Sequence, residues 1–199
     1  EGAYEVAGRV LDTRDLLAKL FHAESSRQVI FTPGVTWSLN MLLQGLLCPG
    51  DHVVVSGLEH NGVMRPLFHL CETGGISYAV ARTSVTGEVT AKAVEEQIRP
   101  FTKLVLVLHA SNVCGTILPI EEIGAVCRKH GVFFAVDTAQ SAGTIPIDMQ
   151  TCGIDFLAFT GHKGLKGPQG IGGFLISPKL NASVRPVIMG GTGSYSDLL

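Results

Sequence analysis

Three short runs in this chain, KLVLVLH at 103–109, VFFAV at 132–136 and IDFLAF at 154–159, are apolar almost without interruption, and each stops at a polar residue. A strand with one face in water alternates apolar and polar side chains. A run without alternation therefore points to a strand covered on both faces, as in a parallel sheet between layers of helices. Further apolar stretches at 28–31, 52–56, 76–81 and 174–176 read as strands. Helices are expected over most of 1–22, where Val6, Val10, Leu16, Leu17 and Leu20 recur at three and four, over 35–47, after Asn61 through about Cys71, over 91–98, and from Pro119 to His130. Strands alternating with helices in this way imply a layered α/β domain with a mainly parallel sheet.

In such sheets sites lie beyond the carboxyl ends of the strands, so the residues that end each run are the candidates. After 154–159 comes a glycine-rich turn in which Thr160, His162 and Lys163 lie between Gly161 and Gly164, followed by the apolar run 174–176. Glycines let backbone approach a ligand closely, so the turn is suited to presenting Lys163 to a pocket. The alternative is a solvated surface lysine, and Lys166 is a rival three residues on. Asp137 ends the run 132–136 and either caps the segment after it or serves as a cofactor-binding carboxylate. In TPGVT, Thr36 falls in the first turn of a helix, where free N–H groups and the helix dipole favour an anion. Thr32 or Thr36 as a simple helix cap fits equally well. His60, between strand and helix in LEHNG, is either a hydrogen-bonded structural histidine or part of a site. Asn112, in the turn after 103–109, suits a turn for conformational reasons alone, although its amide could also bond a cofactor oxygen.

Charge narrows the partners. The net charge is −2 with a pI near 6.4, and no basic cluster occurs, which argues against nucleic acid and anionic membranes. Mean hydropathy is high at +0.33, yet no apolar run approaches the roughly 18–20 residues of a membrane span. The five cysteines are widely spaced, odd in number and form no CxxC pair, so a reducing, cytoplasmic setting is expected and neither a disulfide framework nor a metal site is. The chain opens on Glu1, without a start methionine or signal peptide, and is expected to be a fragment.

Five motifs in order, TPGVT, EHN, SNVCGT, VDTAQ and TGHK, together resemble the class V aminotransferase family of fold-type I pyridoxal 5′-phosphate (PLP) enzymes, above all its cysteine desulfurase and selenocysteine lyase branch. The resemblance covers nearly the whole chain. It implies a three-layer PLP-dependent transferase-like large domain over 1–199, with a mainly parallel sheet of about seven strands and a carboxyl-terminal small domain absent. It implies PLP as cofactor and Lys163 as the Schiff-base lysine. The His60 ring would stack on the cofactor pyridine, and Asp137 would pair with the pyridinium nitrogen. Gln140 and Asn112 would face the 3′-oxygen, and Thr36, Thr160 and His162 would meet the phosphate. The family commonly has serine where Thr160 stands.

In the family L-cysteine is converted to L-alanine while sulfur passes to an enzyme cysteine as a persulfide, and selenocysteine is the parallel substrate. Transamination, epimerisation, another lyase step, or a non-catalytic scaffold are the alternatives. Family members are longer and dimerise with the active site at the interface, and a sulfur-acceptor protein is a possible partner. Their nucleophilic cysteine and carboxylate-binding arginine lie in a later region with no match here, so this chain alone is expected to be inactive. Cys114 is the cysteine nearest the cofactor motifs, but reads as a small core residue. The closing GGTGSYSDLL resembles the segment before a loop that donates a phosphate contact to the partner subunit.

Overall fold

The computed structural model describes residues 2–190. In chain order the elements are α1 (Gly2–Leu20), β1 (Val29–Thr32), α2 (Val35–Leu46), β2 (His52–Ser56), α3 (Asn61–Gly74), β3 (Ser77–Ala81), α4 (Ala91–Glu95), β4 (Thr102–Leu108), α5 (Ile120–His130), β5 (Phe133–Asp137), α6 (Met149–Cys152), β6 (Phe156–Thr160), β7 (Gly172–Ile176) and α7 (Pro178–Asn181). The segment GTGSYSDLL lies outside the described residues.

The strands form one seven-stranded sheet in the order β1-β7-β6-β5-β4-β2-β3. Strands β3, β2, β4, β5 and β6 run parallel, whereas β7 is antiparallel to both of its neighbours, β6 and β1. Because β7 reverses between them, β1 points the same way as β6. The carboxyl ends of β1, β2, β4, β5 and β6 therefore share one edge of the sheet.

The uninterrupted apolar runs are explained by cover on both faces. Val54, Val105, Val107, Phe134, Val136 and Leu157 pack on one side with Ile123 and Cys127 of α5 and Leu17 of α1. The alternate residues Val53, Val55, Leu104, Leu106, Ala135 and Ala158 pack on the other with Leu39, Leu42 and Leu43 of α2 and Val63 and Leu67 of α3. Each such side chain contributes about 1.5–3 kcal/mol when fully buried, so neither face of a central strand tolerates a polar residue.

Two helices depart from their sequence pattern. Helix α1 forms, but Val6, Val10, Leu16 and Leu20, whose spacing signals it, are exposed, and only Leu17 and Ala18 are buried. It meets the body at its carboxyl end, where buried Phe21 packs on Phe159 and the Phe21 carbonyl accepts from the Met149 N–H. Helix α4 stops at Glu95, because Gln97 and Ile98 bond three residues back in tighter turns. No helix among the described residues is long and apolar enough to cross a membrane.

One glycine holds the shared edge together. Gly172 pairs with Thr32 on one side and Thr160 on the other. A Cβ there would lie 2.7 Å from the Phe159 carbonyl oxygen and 2.8 Å from Gly34 Cα, in the turn that starts α2. Overpacking of this kind costs about 1–3 kcal/mol. Gly172→Ala is therefore expected to lower the thermal midpoint by roughly 3–10 °C, measured by calorimetry. An unchanged midpoint would contradict the close approach.

Candidate active site

The shared edge carries a cavity of about 340 Å³. Thr36, His60, Asn112, Asp137, Gln140, Thr160, His162 and Lys163 all line it, although they come from segments as far apart in sequence as α2 and the turn after β6.

Helix α2 enters the cavity without a side-chain cap. Its N-cap is Gly34, in extended backbone. Neither threonine serves as that cap. The Thr32 hydroxyl donates to the Gly34 carbonyl at 3.0 Å and lies 2.9 Å from the Ser38 hydroxyl. The N–H groups of Val35 and Thr36 fall in the first helical turn, where no intrahelical acceptor exists, and both residues line the cavity. That is a ready anion site with the Thr36 hydroxyl beside it.

His60 is the N-cap of α3, its Nδ1 accepting from the Gly62 N–H at 3.0 Å. An acceptor nitrogen carries no proton, so the neutral ring has its proton on Nε2. The cap thereby fixes both the ring's orientation and its tautomer.

Asp137 is the last residue of β5 and is 5 % exposed. Its Oδ1 accepts from the Ala139 N–H at 2.8 Å, and its Oδ2 has no hydrogen bond to the described residues. Capping and site readings thus apply to different oxygens of one carboxyl. Burial pushes its pKa up, opposed by the Ala139 N–H and by positive charge at His60 and Lys163. A cation or a hydrogen-bond donor against the free oxygen would favour ionisation further.

Thr160, buried at the end of β6, has its hydroxyl 3.1 Å from His162 Nδ1. The turn beyond is closed by the Gly161 N–H donating to Ile171 and the Gly167 N–H donating to Gly161. It directs Lys163 to the cavity lining, whereas Lys166, with left-handed backbone at φ 55°, is not part of it. None of the five cysteines lines the cavity. Cys114, expected as a small core residue, is exposed instead, and hydrogen bonds with Ser111 and Thr116 pull its thiol down to about 7.

Two residues near the cavity were not singled out by the sequence. Trp37 follows Thr36 in the first turn of α2 and forms part of the wall. Glu59, directly before His60, is held behind the lining by the Ser56 hydroxyl and the Leu108 N–H. An acidic residue just past a fully buried strand was the available signal. The site as a whole suits an elongated ligand with an anion at the α2 end, a protonated ring nitrogen for Asp137, an aromatic face for His60 and an electrophilic carbon for the Lys163 amine.

The family model for aminotransferase class-V matches residues 3–196. Among curated relatives, a probable cysteine desulfurase of Halalkalibacterium halodurans is 35% identical over 182 residues, 89% of this chain and 45% of that protein. Cysteine desulfurase IscS of Glaesserella parasuis is 37% identical over 182 residues, 89% of this chain and 44% of the relative. The solved apo cysteine desulfurase from Thermococcus onnurineus superposes with a TM-score of 0.87 at 32% identity, covering 92% of this chain and 46% of that one. A cystine C–S lyase in complex with cysteine persulfide gives 0.86 at 31% identity, covering 95% and 51%. The chain thus spans about half the length of the curated relatives it matches.

The cap at His60 can be tested without any ligand. His60→Ala should cost about 1 kcal/mol, a fall of roughly 2–4 °C in the thermal midpoint. His60→Asn should retain most of that stability, since asparagine is a favoured N-cap. Equal losses in both variants would contradict the capping geometry.

Proposed function

The chain belongs to the aminotransferase class-V family, and on that premise we propose that it forms the cofactor-binding part of a PLP-dependent cysteine desulfurase. The observation that carries this is one cavity in which a capless helix N-terminus, a buried carboxylate with one free oxygen and a lysine converge. The donor set fits PLP group by group. The Val35 and Thr36 N–H groups, with the hydroxyls of Thr36 and Thr160 and the His162 ring, would hold the phosphate. Asp137 Oδ2 would accept the ring N–H, Asn112 and Gln140 would bond the ring's 3′-oxygen, and the His60 ring would lie against its face.

When bound, PLP supplies an aldehyde carbon that joins an amine and a ring that accepts electron density from the substrate. The residues do the remainder. Lys163 would hold the cofactor covalently through Nζ and, once displaced by the substrate amine, would be free to move a proton at the substrate Cα. Asp137, ionised against the ring N–H, would keep that nitrogen protonated and so maintain the electron sink. An offset stack by His60 would contribute about 0.5–1.5 kcal/mol and hold the ring plane, while its cap on α3 keeps Nδ1 engaged with the Gly62 N–H.

In the whole protein the reaction balances as L-cysteine plus an enzyme thiol giving L-alanine plus an enzyme persulfide, the Cβ–S bond breaking as the S–S bond forms. Selenocysteine is the parallel substrate. Since no cysteine lines the cavity, the thiol is assigned to a part of the protein beyond this chain's cavity residues, and the chain alone is expected to be inactive. A homodimer, a sulfur-acceptor protein and a cytoplasmic setting complete the proposal, the last supported by five free cysteines. The likeness to a cystine C–S lyase supports a second reading, cleavage of a C–S bond without transfer to an enzyme thiol.

The test is to load the purified chain with PLP, follow its absorbance, reduce with borohydride and map the pyridoxyl peptide. The label should fall on Lys163 and vanish in Lys163→Ala. Labelling of Lys166, or none, would overturn the assignment.

A further inference from the structure

The proposed chemistry leaves one carboxyl beside the cavity unused. Glu59 Oε1 accepts from the Ser56 hydroxyl at 2.5 Å and from the Leu108 N–H at 3.0 Å, so one oxygen joins the last residue of β2 to the last residue of β4. The other, Oε2, is sealed from solvent and has no hydrogen-bond partner. The Leu58 N–H also donates to Ser56 Oγ, at 3.2 Å, so the hydroxyl that donates to Glu59 is itself held by the connection.

We propose that Glu59 is a positioning residue that ties the segment carrying His60 to the cavity end of β4, and that it does so as the neutral acid. The role toward the cofactor rests on the PLP assignment above, whereas the protonation and the tie do not.

The geometry decides where the charge sits. Both donors converge on Oε1, so the proton belongs on Oε2. An ionised Oε2 would be a buried anion without a donor, and such groups neutralise instead. Two carboxyls lie in this neighbourhood, and their surroundings differ. Burial raises the pKa of Asp137, on β5, as well, but the Ala139 N–H and the nearby His60 and Lys163 oppose that rise, and the residue lines the open cavity. Glu59 is met by neutral donors from β2 and β4 and by the repelling Asp137. Burial, followed at a distance by that repulsion and opposed by the Ser56 and Leu108 hydrogen bonds, leaves its carboxyl at about 8. Different environments thus divide the roles of a carboxyl pair.

The raised value has a stability consequence of definite sign. Between the ordinary value of 4.5 and about 8 the unfolded chain has lost this proton while the folded chain keeps it, so stability falls as pH rises through that window. Glu59→Gln lacks the effect. Its midpoint should gain on the wild type progressively from about pH 4.5 to about pH 8.

The decisive readouts are taken on the ligand-free chain. Infrared difference spectra of wild type minus Glu59→Gln at neutral pH should contain the C=O stretch of a protonated carboxylic acid. The ¹⁵N resonances of the His60 imidazole should shift in Glu59→Ala and return in Glu59→Gln, whose amide oxygen takes both donors while its NH₂ replaces the O–H. Ser56→Ala, which removes one tie, provides the same readout if Glu59→Ala does not fold. With PLP added, Glu59→Ala should bind roughly tenfold more weakly, with Gln restoring affinity. A carboxylate band in place of the acid band, a Gln variant as defective as Ala, or an unshifted His60 ring in both Glu59→Ala and Ser56→Ala would overturn the proposal. If the ligand-free results hold and the wild type takes up no PLP, only the cofactor assignment falls.

Discussion

The structure turns on a carboxyl group kept out of water at the end of a central strand. Burying an unpaired carboxylate is costly enough that such groups give up their charge unless a cation compensates. Asp137 has Ala139 on one oxygen and an open cavity before the other. It is therefore only half satisfied by its own chain. Burial shifts it toward the neutral acid, and the Ala139 N–H and the nearby His60 and Lys163 oppose that shift. A ligand bringing a protonated nitrogen would resolve the conflict.

Rigid elements set the geometry around that carboxyl. The parallel strands β2 to β6 end along one edge, β1 joins them because β7 runs backwards between β6 and β1, and Gly172 permits the approach of the turn before α2. Several site residues also perform a local structural task. His60 caps α3, Asp137 caps the turn after β5, and the Thr160 hydroxyl meets the His162 ring. A side chain locked by such a bond is already oriented before a ligand arrives, which spares the binding step much of the ordering cost.

Much of this was legible in the sequence. The runs ending at His109, Asp137 and Thr160 had to be buried strands, because both faces were apolar, and their polar ends had to fall together at the sheet edge. The limits are equally physical. Apolar spacing in α1 predicted a helix but not which face would be covered, since cover depends on partners that periodicity does not name. Thr32 and Thr36 both looked like caps for α2, and the position went to Gly34, because the Thr32 hydroxyl is engaged with Ser38 and the Gly34 carbonyl. Glu59 showed in the sequence only as an acidic residue just past a buried strand, because its significance lies in a hydrogen bond to Leu108 that the pairing of β2 beside β4 creates.

The rest of the proposed site depends on Asp137 serving as the counter-ion of a protonated ring nitrogen. That role is tested most directly by ¹⁵N NMR of PLP labelled at that nitrogen and bound to the chain, followed from mildly acid to mildly alkaline pH. A protonated-nitrogen shift is expected throughout, lost in Asp137→Asn. A ring nitrogen that titrates as it does in free PLP, or one that is unaffected by the substitution, would contradict it.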